Sequence, residues 1–274
     1  MDATKRGALF LALALALVLG LLLAFAVPWA ASREQTQAQL VVGVGDDITG
    51  RMMEEIIKRC QEDGHNSIVN PDQAADLDSY LFIDCCSNAG QWSLLTRDTD
   101  LGFYCTHISM AIVNQNEGFS IYGPVVMNGE VLGCWKDPSE IQTMAIPMKR
   151  EHLAKLVREE YPEVDEIREV SATSILYAFE DRQVDGAVMD IARAFQLPQY
   201  RYTRVTGQDY VSYCLVVRDD IIDTPQFQVF LKYYNETAQA LNDKDTIQSL
   251  YGMDDAFWQE VRLKFLYLPE AGPS

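Results

Sequence analysis

An internal repeat constrains the fold of this chain more than any other feature of its sequence. Residues 92–105, WSLLTRDTDLGFYC, align without gaps with residues 177–190, YAFEDRQVDGAVMD. Each copy reads as the end of an apolar helix, an Arg, a polar turn, an Asp and then a short buried strand. Two copies of one α/β unit predict two similar lobes rather than one long sheet.

The alignment also pairs single residues of the two copies, including the residues that end the two predicted strands. The equivalent pairs are Arg97 with Arg182, Asp100 with Asp185, and Cys105 with Asp190. In open α/β sheets, ligands collect beyond the carboxyl ends of the strands. Cys105 and Asp190 are therefore predicted to face each other across a cleft.

The composition fits two lobes of ordinary size and excludes one class of partner. The chain has 274 residues, of which 48% are hydrophobic, and this is enough for a substantial core. Its formal net charge of -18 repels phosphate backbones, so nucleic acid is not expected as a partner. We interpret the acidity as a solubilising surface charge, because attraction of a cationic ligand needs the charge concentrated in the cleft.

Residues 1–35 read as an export segment. Lys5 and Arg6 precede an uncharged apolar run from Gly7 to Ala31. A secretory signal core spans roughly 7 to 15 residues and a bilayer-spanning helix needs about 20, so the length favours an uncleaved anchor. Positive charge ahead of the run places the body of the chain outside the cell membrane. Small residues at its end leave cleavage as a signal peptide open.

The order of predicted elements divides the rest of the chain. Residues 36–138 are predicted to form the first part of lobe 1, residues 139–208 to form lobe 2, and residues 209–274 to return to lobe 1 and add helices. Apolar residues at helical spacing between Pro225 and Leu241 predict a helix packed on the core.

An Asn-Gly pair predicts a β-hairpin. The segments Phe119–Val126 and Val131–Trp135 have strand character, and Asn128-Gly129 lies between them. Asn-Gly is a strong signal for a two-residue hairpin turn. Long strands at this point also suit a crossing between the lobes.

Sulfur-containing and polar side chains follow predicted strands of the first lobe. Cys85 and Cys86 follow the strand Tyr80–Ile83, and Cys105 ends the strand of the first repeat copy. If the chain stays extended, His107 points to the same side as Cys105. The predicted ligand-binding residues of this lobe are Asp46, Asp84, Cys85, Cys86, Ser87, Asn88, Cys105, Thr106 and His107.

Three interpretations of these cysteines stay open. One is structural, with a disulfide from Cys105 to Cys85 or Cys86, or a vicinal disulfide between the latter two. Another is capture of a soft metal ion by thiolates and an imidazole, although the spacing matches no standard zinc module. The third is chemistry by a thiol of low pKa. Cys60 and Cys214 lie in apolar patterns and read as small buried hydrophobes.

Asp190 is the main candidate of the second lobe. A carboxylate directly after a buried strand is seldom placed there for packing, and it suits an amine or another cation. Ser171 and Thr173 precede a predicted helix and resemble N-cap residues, which also suit an anion held at the helix start. The predicted ligand-binding residues of this lobe are Ser171, Thr173 and Asp190.

The order of these motifs resembles a known family. The opening LVVGVGDD, the two repeat units and the segment YCLVVRDDIIDTPQFQVFLKYYNETAQAL look like the extracytoplasmic solute-binding proteins of ABC transporters. Within these, the chain is similar to the type II periplasmic-binding fold, in the branch for nitrate, sulfonates and pyrimidine precursors. The Cys-Cys turn also resembles a thiol-rich subgroup with some selenocysteine-containing members. The resemblance covers nearly everything after residue 40.

The resemblance implies a function. It implies an α/β, two-lobed fold behind an N-terminal transmembrane helix, which captures a small-molecule solute and delivers it to the permease subunits of an ABC transporter. Neither catalysis nor a cofactor is implied, and the metal content is left open. The implied location is extracytoplasmic, anchored to the cell membrane by the N-terminal helix, or secreted if the segment is cleaved.

Two other functions are compatible with the same residues. An enzyme on this fold is one alternative, because relatives that synthesise pyrimidines use a Cys-rich loop and His. Against it, the sequence shows no base and nucleophile at a recognisable spacing. An extracytoplasmic protein that binds and delivers a metal ion is the other alternative.

Overall fold

Two β-sheets organise residues 39–69 and 88–270, the part of the chain that the computed structural model describes. The strands are β1 (Leu40–Gly43), β2 (Ile68–Val69), β3 (Leu101–Cys105), β4 (Phe119–Met127), β5 (Glu130–Cys134), β6 (Thr143–Pro147), β7 (Glu166–Val170), β8 (Gly186–Asp190), β9 (Arg201–Arg204), β10 (Val211–Arg218) and β11 (Lys264–Phe265). The helices are α1 (Ile48–Glu62), α2 (Asn88–Leu95), α3 (Thr106–Gln115), α4 (Glu151–Glu160), α5 (Ile175–Glu180), α6 (Ile191–Ala194), α7 (Pro225–Leu241), α8 (Lys244–Tyr251) and α9 (Asp255–Glu260). The chain from Leu40 onward forms one compact unit.

Each sheet combines parallel strands with an antiparallel neighbour. The first sheet has the order β11-β4-β10-β3-β1-β2, and the second has the order β7-β6-β8-β5-β9. β1 is parallel to β2 and β3, and β6 is parallel to β7 and β8. β10 pairs antiparallel with β3, and β5 pairs antiparallel with β8. The two repeat strands, β3 and β8, thus have equivalent places in separate sheets, which confirms that the repeat does not build one long sheet.

The turn of the repeat has the same conformation in both copies. Arg97 and Arg182 have φ angles of 66° and 54°, in the left-handed region that side chains disfavour. The backbone N–H of Arg97 donates to the Leu94 carbonyl, and that of Arg182 donates to the Phe179 carbonyl, both at 3.1 Å. The sequence repeat is therefore a structural repeat down to single backbone hydrogen bonds.

The aspartates of the repeat connect their strands to neighbouring strands. Asp100 Oδ2 accepts a hydrogen bond from the backbone N–H of Val41 in β1 at 2.8 Å, and Oδ1 pairs with Arg218 at 2.7 Å. Asp185 Oδ2 accepts bonds from the backbone N–H groups that begin β6, and Oδ1 pairs with Lys136 at 2.7 Å. Both carboxylates therefore fix the start of the adjacent parallel strand.

The predicted hairpin at Asn128-Gly129 is wrong. β4 pairs with β10 and β11, whereas β5 pairs with β8 and β9. Asn128 has a φ of 55°, and its side-chain oxygen accepts a bond from the Tyr210 backbone at 3.1 Å. Asn128 thus adopts a left-handed backbone conformation, but the pair does not specify which strands are joined, and here it leads the chain from the first sheet to the second. β5, a strand of the second sheet, therefore comes before the predicted boundary at residues 138–139, which stays a prediction.

α7 contributes its apolar face to the larger buried cluster. Phe227, Phe230, Leu231, Tyr234 and Leu241 are all buried there, as the helical spacing predicts. Full burial of such a side chain contributes about 1.5–3 kcal/mol to the free energy of unfolding. The stripe of α7 therefore belongs to the core and is confirmed as packing rather than recognition.

A tight turn places two aspartates at the carboxyl end of β1. Asp47 begins α1 as its N-cap, and its Oδ1 accepts bonds from the backbone N–H groups of Thr49 and Gly50 at 3.0 and 3.1 Å. A Cβ on Gly50 would lie 1.7 Å from the Gly45 carbonyl oxygen, so only glycine permits this approach. Asp46 immediately precedes the cap.

Several expectations concern residues outside the described part of the chain. These are the export segment, residues 1–35, and the residues Asp84, Cys85, Cys86 and Ser87. Within residues 39–69 and 88–270, no helix combines the length and the apolar character needed to cross a membrane.

Candidate functional site

A small cavity lies where residues after β1 meet residues after β6 and β8. Its volume is about 20 Å³. The lining residues are Asp46, Asp47, Pro147, Arg150, Ala172, Ile175, Asp190, Arg193 and Tyr213. Space of this size admits about one water molecule, so any larger solute requires the facing elements to separate.

Asp190 joins the elements of the two sheets at this cavity. Its Oδ1 accepts hydrogen bonds from the backbone N–H groups of Ala192 at 2.8 Å and Ile48 at 2.9 Å. Its Oδ2 accepts a bond from the Tyr213 hydroxyl at 2.7 Å. Ile48 begins α1 after β1 and Tyr213 lies in β10, whereas Asp190 ends β8. One carboxylate therefore bonds to two elements that belong with the other sheet.

Asp47 has one carboxylate oxygen without a donor. The residue is only 5% exposed, and its Oδ1 accepts bonds from the backbone of α1 and from the Thr49 hydroxyl at 2.5 Å. Its Oδ2 is buried and accepts no hydrogen bond from the described residues. A buried polar atom without a partner costs about 1–3 kcal/mol, and more when it is charged. A donor placed in this cavity would remove that penalty.

A buried ion pair lies beside the cavity. Arg150 and Glu130 are 5% and 2% exposed, and Arg150 Nη1 donates to Glu130 Oε1. Arg150 Nη2 donates to the Tyr213 hydroxyl at 3.3 Å, and the guanidinium carbon lies 5.4 Å from the centroid of that ring. Ser212 donates to Glu130 Oε2 at 2.5 Å. Removing one partner of such a pair leaves an uncompensated buried charge.

A second ion pair closes the outer side of the cavity. Arg193 on α6 donates from Nη2 to Oδ2 of Asp46, which follows β1. The side chains are 16% and 34% exposed, so water screens this pair more than the buried one. Asp46, a predicted site residue, thus lines the cavity and contacts an element of the second sheet.

Carboxylates outnumber cations around the cavity. Three carboxylates line it, those of Asp46, Asp47 and Asp190, against the two guanidinium groups of Arg150 and Arg193. A fourth carboxylate, that of Glu130, does not line the cavity but pairs with Arg150. The two guanidinium groups pair with Asp46 and Glu130. Among the described residues, no Lys, Arg or His forms an ion pair with Asp47 or Asp190.

The unpaired charges affect protonation. The pKa of Asp190 is raised well above its usual value, first because burial desolvates the carboxylate and second because the charge of Asp47 lies nearby. A neighbouring positive charge would lower that pKa. The cavity therefore favours either a proton or a cation at Asp190.

The end of the first repeat copy lies beside this network but not on the cavity. Cys105 is buried, its Sγ lies 4.0 Å from His107 Nε2, and its Cα pairs with that of Tyr213. Tyr213 therefore stands between Cys105 and Asp190, which were predicted to face each other. Thr106 donates to the Val211 carbonyl at 2.8 Å, which gives it a structural role between α3 and β10.

His107 also packs against an element of the second sheet. Its ring centroid lies 5.6 Å from that of His152 on α4, at an interplanar angle of 44°. No group of three or more His, Cys, Asp or Glu suited to a metal ion occurs within residues 39–69 and 88–270.

The remaining predicted residues lie elsewhere. Ser171 and Thr173 are exposed and do not line the cavity, whereas Ala172 between them does. Ser171 Oγ accepts a bond from the Ser174 backbone at 3.2 Å within the turn before α5, but the N-cap of α5 is Ser174, so the predicted capping by Ser171 or Thr173 is wrong. Asn88 begins α2.

The other described cysteines are packing residues. Cys60, Cys134 and Cys214 are buried, and burial raises the pKa of each thiol. Because the thiolate is the reactive form, thiol chemistry is disfavoured at these three positions. The interpretation of Cys60 and Cys214 as buried hydrophobes is confirmed.

Sequence reasoning missed several cavity residues. Asp47 carries an N-cap signal next to the predicted Asp46, and Arg150 follows β6 at its carboxyl end, where ligand residues are expected. Tyr213 and Arg193 carry no such signal, because their partners are distant in sequence.

A larger groove lies outside this region. Its volume is about 440 Å³, and it runs along β9 and α9. Its charged lining residues, Arg201, Asp254 and Glu260, are not buried. The buried charges and the contacts between sheets single out the small cavity as the candidate site.

Solved structures share this architecture. The fold is shared with solved substrate-binding proteins of ABC transporters, which agrees with the two-sheet α/β fold that the resemblance in sequence implied. No protein-family model and no curated protein sequence matches the chain.

Three of the similar structures illustrate the class. A periplasmic substrate-binding protein of an ABC transporter from Coxiella burnetii is 14% identical, with 78% of this chain and 97% of that chain covered and a TM-score of 0.55. The methionine-binding protein MetQ is 15% identical, with 85% and 99% covered and a TM-score of 0.57. The ligand-binding component of an ABC-type import system from Staphylococcus aureus, with zinc bound, is 13% identical, with 85% and 86% covered and a TM-score of 0.56. These likenesses establish the fold and leave the ligand open.

Proposed function

We propose that this chain is an extracytoplasmic receptor that binds a small solute between two lobes and delivers it to the permease of an ABC importer. One lobe is built on the six-stranded sheet and the other on the five-stranded sheet. The observation that carries the proposal is the set of bonds from Asp190 to Ile48 and Tyr213, which meet at the carboxyl ends of β1 and β8. Ligands of open α/β sheets collect at this edge.

The contacts between the lobes give the receptor a way to open and close. Asp190 bonds to Ile48 and Tyr213, and Asp46 pairs with Arg193. Hydrogen bonds of this kind contribute about 0.5–1.5 kcal/mol each, so breaking these three contacts costs a few kcal/mol. A solute that bridges the same groups would replace those bonds, and closure would then create the surface that a permease recognises.

The location follows from the export segment. Residues 1–35 combine positive charge with a long apolar run, which supports a body outside the cytoplasm, anchored by that segment or released by its cleavage. Methionine and zinc are named as ligands of the similar proteins above and are not assigned to this chain. The branch for nitrate, sulfonates and pyrimidine precursors rests on the sequence alone, and the carboxylates that line the cavity argue against its anionic solutes.

A thermal-shift screen of the full-length protein tests the receptor function. The panel holds amino acids, amines, sulfonates, nitrate, pyrimidine precursors and metal ions. A solute at about 100 times its Kd adds about 2.7 kcal/mol to the free energy of unfolding. For a chain of this size, that gain corresponds to a rise in Tm of about 5–10 °C.

Native mass spectrometry of the same preparation gives a second readout. A co-purified small molecule supports the receptor function without requiring that the panel contain the right compound. The proposal fails if no solute shifts Tm and none co-purifies.

A further inference from the structure

The oxygen of Asp47 that lacks a donor indicates what kind of solute the cleft holds. Asp47 is 95% buried, lines the cavity, and presents an Oδ2 that accepts no bond from the described residues. Its other oxygen caps α1. The helix cap therefore accounts for Oδ1. Oδ2 is left to accept a hydrogen bond from a bound solute.

Asp190 adds a second carboxylate at the same helix end. The first three backbone N–H groups of α1 donate to these two carboxylates. Ile48 donates to Asp190, and Thr49 and Gly50 donate to Asp47. The positive end of a helix is equivalent to about half an elementary charge. It therefore compensates only part of two carboxylate charges.

We propose that the solute carries a net positive charge in the form of an ammonium group, which Asp47 and Asp190 bind together. This inference rests on the proposed receptor function and specifies its solute class. An ammonium has three donors. Asp47 Oδ2 supplies one acceptor, and Asp190 supplies a second once opening of the lobes releases its bonds to Ile48 and Tyr213.

Solutes of other charge fit less well. An anion would meet two carboxylates, and two like charges about 4 Å apart repel by about 4 kcal/mol at an effective dielectric constant near 20. The carboxylate of a zwitterion needs a cation, yet Arg150 already pairs with Glu130 and Arg193 pairs with Asp46. The charge balance of the cavity favours a solute with more positive than negative groups.

A metal ion also fits less well than an ammonium. Ca²⁺ takes about six to eight oxygen ligands and Mg²⁺ requires near-octahedral coordination. Asp47 Oδ1 is committed to α1, and the cavity has apolar walls formed by Pro147, Ala172 and Ile175. Those walls suit an aliphatic chain attached to the ammonium group.

Isothermal titration calorimetry of the full-length protein with matched compounds tests the charge. Putrescine is compared with 1,4-butanediol, and L-lysine is compared with L-norleucine, so that each pair differs by ammonium groups at similar size. We expect the cationic member of at least one pair to bind more than tenfold tighter than its partner. Its affinity should fall when NaCl is raised from 50 to 500 mM, because salt screens the charges.

A pair of variants tests the residue. Asp47→Asn keeps an oxygen for the helix cap but removes the charge, and Asp243→Asn makes the same change at the exposed N-cap of α8. Asp47→Asn should lower the affinity for the cationic probe more than tenfold, whereas Asp243→Asn should leave it unchanged. If Asp47→Asn does not fold, the comparison of matched compounds on the unaltered protein still tests whether the solute is a cation.

The outcomes separate this inference from the receptor function. Tighter binding of the neutral, zwitterionic or anionic compound, or of Ca²⁺ or Zn²⁺, overturns the cationic solute class. So does a co-purified neutral or anionic molecule, which leaves the receptor function intact. Absence of any bound or stabilising solute overturns both.

Discussion

The two copies of the repeat share a backbone but end in different chemistry. The first copy ends in Cys105, a buried residue that packs beside His107 and β10. The second copy ends in Asp190, whose carboxylate bonds to Ile48 and Tyr213 across the cavity. The duplicated backbone thus determines where each strand ends, and the residue at that end determines whether it packs or joins the two sheets.

The aspartates that begin the two repeat strands differ in the same way. Each bonds to a neighbouring strand and to one cation, yet their pKa values move in opposite directions. A hydrogen bond from Lys136 is the main cause that lowers the pKa of Asp185 to about 2. Desolvation dominates at Asp100 and raises its pKa, although Val41 and Arg218 act against the rise. The two aspartates therefore have similar hydrogen-bonding geometry but pKa shifts of opposite direction.

The largest effect is expected where the network around the second copy is broken. Arg150→Ala leaves Glu130 buried without its cation, and Glu130 is the strand partner of Asp190. We expect the free energy of unfolding to fall by about 3–5 kcal/mol in urea denaturation.

Arg168→Ala is the matched control for Arg150→Ala, because it removes an exposed ion pair with Glu166. That loss should be about 1 kcal/mol or less. Equal losses for the two variants would contradict the structural importance assigned to the buried pair.

Substitutions at the two repeat ends sharpen the comparison further. Asp190→Asn should weaken binding of the solute found in the thermal-shift screen by about 100-fold, or about 2.7 kcal/mol. Cys105→Ala should change that affinity less than threefold, because Cys105 does not line the cavity. Calorimetry measures both, with circular dichroism as the check on folding. A larger loss for Cys105→Ala than for Asp190→Asn would reverse the assignment of roles.

A smaller effect is expected from the pH dependence of the two repeat aspartates. A carboxyl with a lowered folded-state pKa stabilises the fold above its unfolded pKa, and this is lost as pH falls through the folded value. Asp185→Asn should therefore cost about 1 kcal/mol at pH 7, after allowance for solvent screening, and the difference should shrink towards pH 2.

Asp100 should show the opposite trend. Its pKa is raised, so ionisation of the carboxyl lowers the stability of the fold as pH rises. The stability of the unaltered protein relative to Asp100→Asn should increase as pH falls. Thermal unfolding at pH 3 to 7 measures both variants, and parallel profiles would show that the two aspartates are electrostatically equivalent.

Much of the fold follows from patterns that are local in sequence. The repeat predicts two sheets, and the spacing of apolar residues in α7 predicts its buried face. The rule on the carboxyl ends of strands places Asp46 and Asp190 at the cavity. Such patterns can be recognised because each depends on residues that are close in sequence or that recur at a regular spacing.

The rest of the site depends on contacts between distant residues. Glu130 and Arg150 are 20 positions apart, and Tyr213 is 23 positions from Asp190. No local pattern records such pairs. Ser171 shows a further limit, because a helix cap and a surface turn share one sequence pattern, and the structure places this residue in an exposed turn before the N-cap Ser174. Asn128-Gly129 similarly encodes a left-handed turn without encoding the strands that it joins.

The crossing at Asn128-Gly129 has a mechanical consequence. It lies against the returning chain, because the Asn128 backbone donates to the Tyr210 carbonyl at 3.1 Å and the Gly129 backbone donates to the Ser212 hydroxyl at 2.8 Å. If the proposed receptor opens, these two adjacent segments lie on the axis of rotation, and rotation about an axis displaces atoms in proportion to their distance from it. Glu130 sits next to that axis and would barely move, whereas the outer rims of the lobes would travel farthest. In the proposed receptor, a small rearrangement around Glu130 would therefore become a large displacement at the outer rims of the lobes.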